Sequence, residues 1–247
     1  MSCTSPTTID ELVHVETREA ERLLAEQLVS MAELQGVRSS PSVVTGDPFD
    51  GILRAATEAG ADLIVMGSHR KQLLRDIFVG TTIERVIRNG AFPVLMVNNE
   101  AQRRYENVVA AVDMSDASAR ALQVALSTGL IGAGRATLLH AYSPFIKGKM
   151  YMQQARIAEL VDDERQRAMD ELAGFLVTKG LTHERWVLRV KEGSPMEIIS
   201  RTVSDLRPDL LVMGTHGRPA VINALIGSVT EEALRSLDVD ILAVPLS

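Results

Sequence analysis

The sequence predicts an α/β protein made of two repeats of one unit, each a parallel sheet with flanking helices. Short apolar runs typical of buried parallel strands alternate along the chain with longer amphipathic stretches. A block of sequence also recurs at a fixed distance, which indicates a duplicated structural unit. Alternating strand and helix signals with short connections favour a parallel sheet covered by helices.

The repeat is clearest where residues 61–69 read ADLIVMGSH and residues 208–216 read PDLLVMGTH. The two segments are 147 positions apart, and the same offset holds without a gap from residue 46 to residue 97 of the first copy. An offset kept over so long a stretch predicts that the two halves of the chain share one fold.

The second copy carries five strand signals separated by four helix signals. The predicted strands are Val108 to Val112, Ala136 to Ala141, Trp186 to Val190, Leu210 to Met213 and Val239 to Val244. The predicted helices are Ala117 to Ser127, Ile157 to Thr178, one that opens at Ser194-Pro195 and one that opens at Ser228. Ser194 precedes a proline and Ser228 precedes a glutamate by three positions, which predicts both serines as N-caps.

The first copy is expected to be a truncated unit. Its first clear element is a helix near Ile9 to Leu34, with no counterpart of the strand at Val108 before it. The polar stretch from Asn98 to Glu106 reads as a linker, so we expect one domain over residues 1–100 and another over residues 104–247.

Composition excludes several classes of protein. The formal net charge is −6, which disfavours nucleic acid and anionic membrane surfaces as partners. No apolar run approaches the roughly 20 residues of a membrane span, and the N-terminus lacks the pattern of a signal peptide. A single cysteine, Cys3, excludes an internal disulfide, and no residues group as metal ligands. We expect a soluble, cytoplasmic protein.

The strongest functional signal is a glycine pattern in the second copy. Gly214 follows a strand, Gly217 comes three positions later, and Gly227-Ser228 follow nine intervening residues at a predicted helix start. Glycines allow a ligand to approach the backbone, and a helix N-terminus favours an anion. The pattern suits a phosphate chain, although tight strand-to-loop turns with Ser228 as a plain cap would give the same residues.

These residues resemble the universal stress protein family. The motif G-x2-G-x9-G-[ST], the final strand with sequence VDILAVP, and the opening strand that leads to Asp113 match the family's pattern in order, over residues 107–246. The first copy resembles the same family over residues 9–98. The chain is therefore similar to a tandem-domain universal stress protein.

The resemblance implies an adenine nucleotide alpha hydrolase-like fold with ATP, with or without Mg²⁺, bound in each competent unit. It implies that Asp113 holds the adenine or ribose side and that Met213 and Gly214 lie against the ribose, although Asp113 could also simply cap the helix after it. It implies roles for nine further residues. At the base these are Ala111 and Val112 as lining and Ala141, which offers its backbone to the adenine. At the phosphates they are Gly217, Gly227, Ser228 and Val229, with His216 and Arg218 within reach.

The first copy departs from this pattern. Arg70 occupies the position of Gly217, and the opening strand with its acidic residue is absent. Both departures predict a degenerate first site and one ATP per chain. The family pairs through its last strand, so we expect Val94 to Val97 and Ile241 to Val244 to form a pseudo-dimer within the chain or to support a homo-oligomer.

Three functions remain open at this point. The first is a stress-response protein that keeps ATP as a structural or regulatory ligand. The second is an enzyme that slowly hydrolyses ATP or transfers a phosphoryl or adenylyl group, and the third is an interaction module without nucleotide. No residue stands out as a catalytic nucleophile or base, which favours a non-enzymatic role.

Overall fold

The computed structural model describes residues 9–31, 36–68, 81–99, 104–132, 134–143, 154–181, 186–215 and 226–246. Its helices are α1 (Ile9–Ser30), α2 (Pro48–Ala59), α3 (Thr81–Asn89), α4 (Asp116–Ser127), α5 (Gln154–Thr178), α6 (Pro195–Leu206) and α7 (Ser228–Ser236). Its strands are β1 (Ile64–Gly67), β2 (Val94–Val97), β3 (Asn107–Ala111), β4 (Arg135–Tyr142), β5 (Trp186–Glu192), β6 (Leu210–Gly214) and β7 (Asp240–Val244).

These elements lie within a few residues of the predicted ones, with one correction at a helix start. Ser194 is the N-cap of α6, with Pro195 in the first turn, as predicted. Ser228 was predicted as the N-cap of the last helix, but Gly227 occupies that position and Ser228 is the first helical residue. Glycine is also a good N-cap residue, which explains the shift of one position.

The chain divides into two compact units, residues 1–55 and residues 56–247. The first unit contains α1, in which Arg22 forms ion pairs with Glu19 and Glu26 one turn away on either side. The second unit contains every described strand. The domain boundary near residues 100–104 that the repeat suggests stays a prediction.

The described strands form one seven-stranded sheet in the order β1-β2-β7-β6-β3-β4-β5. Strands of the second copy pair in parallel, and so do β1 and β2 of the first copy, as the sequence predicts. The two sets join through an antiparallel pair between β2 and β7. The fold is therefore a mostly parallel α/β sheet in which the last strands of the two copies are neighbours.

The β2–β7 pair has the symmetry of the repeat. Leu95 lies opposite Leu242, its own repeat equivalent, and Val94 lies opposite Ala243 just as Met96 lies opposite Ile241. Val94 is the repeat equivalent of Ile241, and Met96 is that of Ala243, so exchanging the two copies leaves the set of facing pairs unchanged. This is the arrangement of a two-fold interface. Leu95 and Leu242 are buried, so a local two-fold axis passes through apolar core.

Ion pairs between α3 and α7 follow the same symmetry. Arg235 contacts Glu84 at 2.9 Å, and Arg88 lies 3.8 Å from Glu231. Glu84 is the repeat equivalent of Glu231, and Arg88 is that of Arg235, so the two pairs are related by the local axis. Such partly exposed pairs contribute about 0–1 kcal/mol each, so the buried strands rather than the ion pairs dominate this contact.

Both faces of the sheet are covered in the second copy. Side chains of α4 and α5, including Leu122 and Leu172, share one core with Val108 and Val212. Val109 and Leu211 are also buried, and they point to the opposite face because side chains alternate along a strand. Strands buried on both faces explain the continuous apolar runs of the sequence.

The linker between the copies is bound to the end of the sheet by a buried carboxylate. Asp240 accepts hydrogen bonds from the backbone N–H groups of Asn98 and Asn99 and, at 2.8 Å, from the hydroxyl of Tyr105. Burial and the nearby Asp240 carboxylate both raise the pKa of Tyr105. This cluster ties Asn98, Asn99 and Tyr105, on either side of residues 100–103, to the start of β7.

The repeat-equivalent strands β1 and β6 have different surroundings. β6 lies between β3 and β7, and Val212 on it is 1% exposed, whereas the equivalent Val65 on β1 is 60% exposed. A Cβ on Gly214 would lie 2.8 Å from the carbonyl carbon of Ala117 in α4, whereas a Cβ on the equivalent Gly67 would have no atom of the described residues within 4 Å. Gly214 therefore permits the close packing of α4 on β6.

We predict that Gly214→Ala lowers the free energy of unfolding by about 1–3 kcal/mol, because the added methyl group forces backbone to move. The repeat-equivalent change Gly67→Ala should leave stability the same or raise it slightly, because the methyl group enters open space. Urea denaturation of the two variants and the parent chain measures the difference. Equal effects of the two changes would contradict the prediction.

Candidate functional site

The candidate site is a cavity of about 390 Å³ at the carboxyl ends of the parallel strands. It lies at the end of β3, which has β4 as its neighbour along one edge and β6 along the other. From β3 the chain continues to β4, and it later returns to the other edge of β3 as β6. Such a switch point opens a crevice between the strand ends, which is where open parallel sheets bind ligands.

The structure brings together every described residue that the sequence predicted for the site. The walls of the cavity include Ala111, Val112, Asp113, Ala141, Met213, Gly214, Gly227, Ser228 and Val229. The remaining predictions, His216, Gly217 and Arg218, lie outside the described residues. A role for any of these residues in binding stays a prediction.

Asp113, directly after β3, is held by a network of serines. Its Oδ1 accepts hydrogen bonds from the backbone N–H of Ser115 at 3.1 Å and from the hydroxyl of Ser118 at 2.6 Å. Ser115 is the N-cap of α4 and accepts from the backbone N–H of Ser118, so Asp113 braces the cap and is not itself the cap. The network fixes the carboxylate at the mouth of the cavity.

The electrostatics of Asp113 favour the charged form. Burial alone would raise its pKa, but the hydrogen bonds from Ser115 and Ser118 outweigh burial and hold the pKa of Asp113 below its usual value. The cavity therefore contains a fixed negative charge at neutral pH.

His140, at the end of β4, is held in one orientation. Its Nδ1 lies 2.8 Å from the carbonyl oxygen of Val112. Because a carbonyl can only accept, Nδ1 carries the hydrogen, and Nε2 of the neutral ring is an acceptor. Asp113 and His140 also line a second, adjoining groove of about 600 Å³ beside α5.

The opposite wall of the cavity is the N-terminus of α7. The backbone N–H of Gly227 donates to the carbonyl of Thr215, which joins the two ends of the loop between β6 and α7. The hydroxyl of Thr230 donates to the carbonyl of Gly214 at 2.9 Å and ties the first turn of α7 to β6. Among the described residues no side chain caps α7, which leaves its first N–H groups for an anion.

Sequence reasoning missed six residues of the cavity wall. They are Ser118, Leu139, His140, Pro195, Ile199 and Thr230. Leu139 and His140 directly precede Ala141 at the end of a predicted strand, so the rule that ligands bind at strand carboxyl ends could have found them. Pro195 and Ile199 in the first turns of α6 carried no comparable signal.

The first copy cannot be compared with this site at its loop, because His69, Arg70 and Gly80 lie outside the described residues. Within the described part, Ile83 occupies the position of Thr230 and has no hydroxyl to bind the end of β1. A degenerate first site stays a prediction.

Fold and site together define an α/β protein with a cavity at the switch point of its sheet. The chain belongs to the universal stress protein family, whose family model matches residues 2–98 and 104–245. The described residues contain no cluster of side chains suited to a metal ion and no helix with the length and apolar character to cross a membrane.

Similar proteins include a universal stress protein of Methanocaldococcus jannaschii, 34% identical over 91 residues, which are 37% of this chain and 56% of that relative. Universal stress protein E of Escherichia coli is 23% identical over 212 residues, or 80% of this chain and 65% of the relative. A universal stress protein structure from Archaeoglobus fulgidus has a TM-score of 0.66 at 22% identity, covering 99% of this chain and 84% of that one.

We predict that Ser118→Ala raises the pKa of Asp113, because it removes a hydroxyl donor to the carboxylate. Since the folded-state pKa is depressed, charged Asp113 stabilises the fold at neutral pH. This contribution is lost as pH falls below about 4 and through the folded pKa. The stability gap between Ser118→Ala and the parent should shrink over that range.

NMR titration of the Asp113 carboxyl carbon measures the pKa directly. Ser127→Ala at the other end of α4 is the control, because its hydroxyl binds the carbonyl of Val124 and not Asp113. A pKa of Asp113 that is the same in Ser118→Ala and the parent would contradict this account of the network.

Proposed function

We propose that the chain binds one ATP in the cavity of the second copy and keeps it as a structural or regulatory ligand in a stress response. The observation that carries the proposal is the separation of polar groups in the cavity. Acceptors, namely the Asp113 carboxylate and Nε2 of His140, lie at the ends of β3 and β4. Donors, the first N–H groups of α7, lie on the opposite wall.

A nucleotide has the complementary distribution of groups. Its sugar and base carry hydrogen-bond donors, and its phosphates are anionic acceptors that a helix N-terminus favours. The cavity wall also includes the buried apolar side chains of Val112, Leu139, Ile199 and Met213, which suit a flat base. The resemblance of the second copy's glycine motif to the family pattern supports ATP among the possible nucleotides.

The proposal that ATP is retained and not hydrolysed rests on the charges of the cavity wall. The described lining residues include no lysine or arginine, so backbone N–H groups and Ser228 are the donors there for phosphates. Phosphoryl transfer needs a positioned nucleophile and compensation of charge that develops on the transferred group. The described wall offers binding groups and none arranged for that chemistry.

We predict that Val229→Pro weakens ATP binding by more than about tenfold, because it removes one N–H from the phosphate wall. Proline is accepted in the first turn of a helix, so α7 should remain folded. Adenosine, which lacks phosphates, should bind the variant as it binds the parent chain. Isothermal titration of the full chain measures both affinities and the stoichiometry, expected to be one.

The matched control is Thr82→Pro, the repeat-equivalent position in the first turn of α3. It makes the same backbone change away from the proposed site and should leave ATP affinity unchanged. Two ATP molecules per chain, or full ATP affinity in Val229→Pro, would contradict the proposal.

A further inference from the structure

β1 forms one edge of the described sheet, and part of its backbone points away from its neighbour β2. The backbone N–H groups of Ile64 and Ser68 donate toward β2, at 2.9 Å and 2.8 Å. Successive residues of a strand direct their N–H and C=O groups to opposite sides, so Val65 and Gly67 direct theirs to the open edge. Among the described residues, no strand pairs with β1 on that side.

The composition of β1 does not protect this edge. The strand reads Ile-Val-Met-Gly, with no charged residue and no proline, and Val65 is 60% exposed. Natural proteins place charges, prolines or a covering element on strands that stay unpaired. An uncharged edge with an exposed apolar side chain therefore favours the addition of a further strand.

The repeat-equivalent strand β6 shows which kind of segment fits such an edge. β6 pairs with β7 as β1 pairs with the equivalent β2, and its other edge is filled by β3 in parallel, with Val212 opposite Ala110. α4 directly follows β3 and packs on β6 at Gly214, and Val212 is 1% exposed. The edge that stays open on β1 is thus filled on β6 by a strand and the helix after it.

Gly67 indicates that the face of β1 suits a helix as well. Gly67 and Val65 are two positions apart, so they belong to the same face of the strand. Glycine weakens a strand and often marks the close approach of another backbone, but no atom of the described residues lies within 4 Å of where a Cβ on Gly67 would be. On β6 the equivalent glycine accommodates the backbone of Ala117 in α4. An approaching helix would give Gly67 the role that Gly214 has.

We propose that the open edge of β1 is a docking site for an extended segment of another polypeptide. The segment adds to the sheet as a parallel strand, and the helix that follows it packs over Gly67. Its strand carries small apolar residues on both faces, as β3 does at residues 108–111, and its helix begins with small residues, as α4 does at residues 117–119. Main-chain hydrogen bonds supply the affinity, and the side chains supply the specificity. This docking does not depend on nucleotide binding.

The probe is a synthetic peptide of residues 104–128, which contains β3 and α4. Fluorescence anisotropy measures binding of the labelled peptide to the full chain, with a scrambled peptide of the same composition as the control. Hydrogen exchange locates the bound peptide, because the amides of Val65 and Gly67 face the open edge. We expect the peptide to bind and to slow exchange at these two amides, and the scrambled peptide not to bind.

Two proline substitutions in the peptide test how its strand adds. In the chain, the N–H of Val112 donates to β4, so by alternation the N–H of Ala110 also faces β4 and that of Val109 faces β6. A docked peptide therefore needs the N–H of Val109 toward β1, whereas the N–H of Ala110 faces away. The Val109→Pro peptide should bind more than about tenfold more weakly than the Ala110→Pro peptide.

Two substitutions in the chain test the docking surface. Val65→Pro removes an N–H that faces the open edge and should weaken peptide binding by more than about tenfold. Proline is tolerated on an edge strand at such a position, because no hydrogen bond to β2 is lost. Gly67→Ala places a methyl group where the helix must approach, and it should weaken binding about tenfold without loss of stability in urea.

Several results would overturn the proposal. They are failure of the peptide to bind, equal binding of the two proline peptides, full peptide affinity in Gly67→Ala, and slower exchange confined to β5 at the other edge of the sheet. Analytical ultracentrifugation of the parent chain and Val65→Pro tests the alternative occupant. Self-association of the parent that Val65→Pro abolishes would identify a second copy at this edge, and it would overturn the proposal too.

Discussion

The parallel pairing of β3 with β6 is the interaction on which the site depends. Val109 opposite Leu211 and Ala110 opposite Val212 place two buried strands side by side, although α4, β4, α5, β5 and α6 separate them in the chain. Their connections leave on opposite sides of the sheet, which opens a crevice between the two carboxyl ends. Asp113 after one strand and Gly214 at the end of the other meet there, because backbone pairing fixes their register.

The same sequence pattern has different structural roles in the two copies. Gly214 is required because α4 packs on it, whereas no atom of the described residues lies within 4 Å of where a Cβ on Gly67 would be. Val212 belongs to the core and Val65 is exposed, although both occupy the same position of the repeat. The repeat therefore predicts the local backbone structure of both copies, but the role of each residue depends on which elements pack against it.

Sequence reasoning predicted the strands and helices, because hydrophobic periodicity and the repeat offset report directly on backbone and burial. Contact between β2 and β7 was expected from the resemblance to a family that pairs through its last strand, whereas their antiparallel direction was not predicted. It also selected residues such as Asp113, Ala141 and Ser228 that meet in one cavity. It missed His140, since the importance of that ring comes from a hydrogen bond to Val112, 28 positions away. The joining of both copies in one sheet likewise depends on register between distant strands.

Helix α7 links the cavity to the contact between the copies. Its first turn lines the cavity and is tied to β6 by Thr230, while Glu231 and Arg235 on the same helix face Arg88 and Glu84 of α3. The ion pairs are partly exposed and individually weak, but the buried pair of Leu95 and Leu242 fixes the two copies beneath them. The described lining of the cavity includes no residue of the first copy, but the helix whose N-terminus forms one wall also carries the ion pairs to α3.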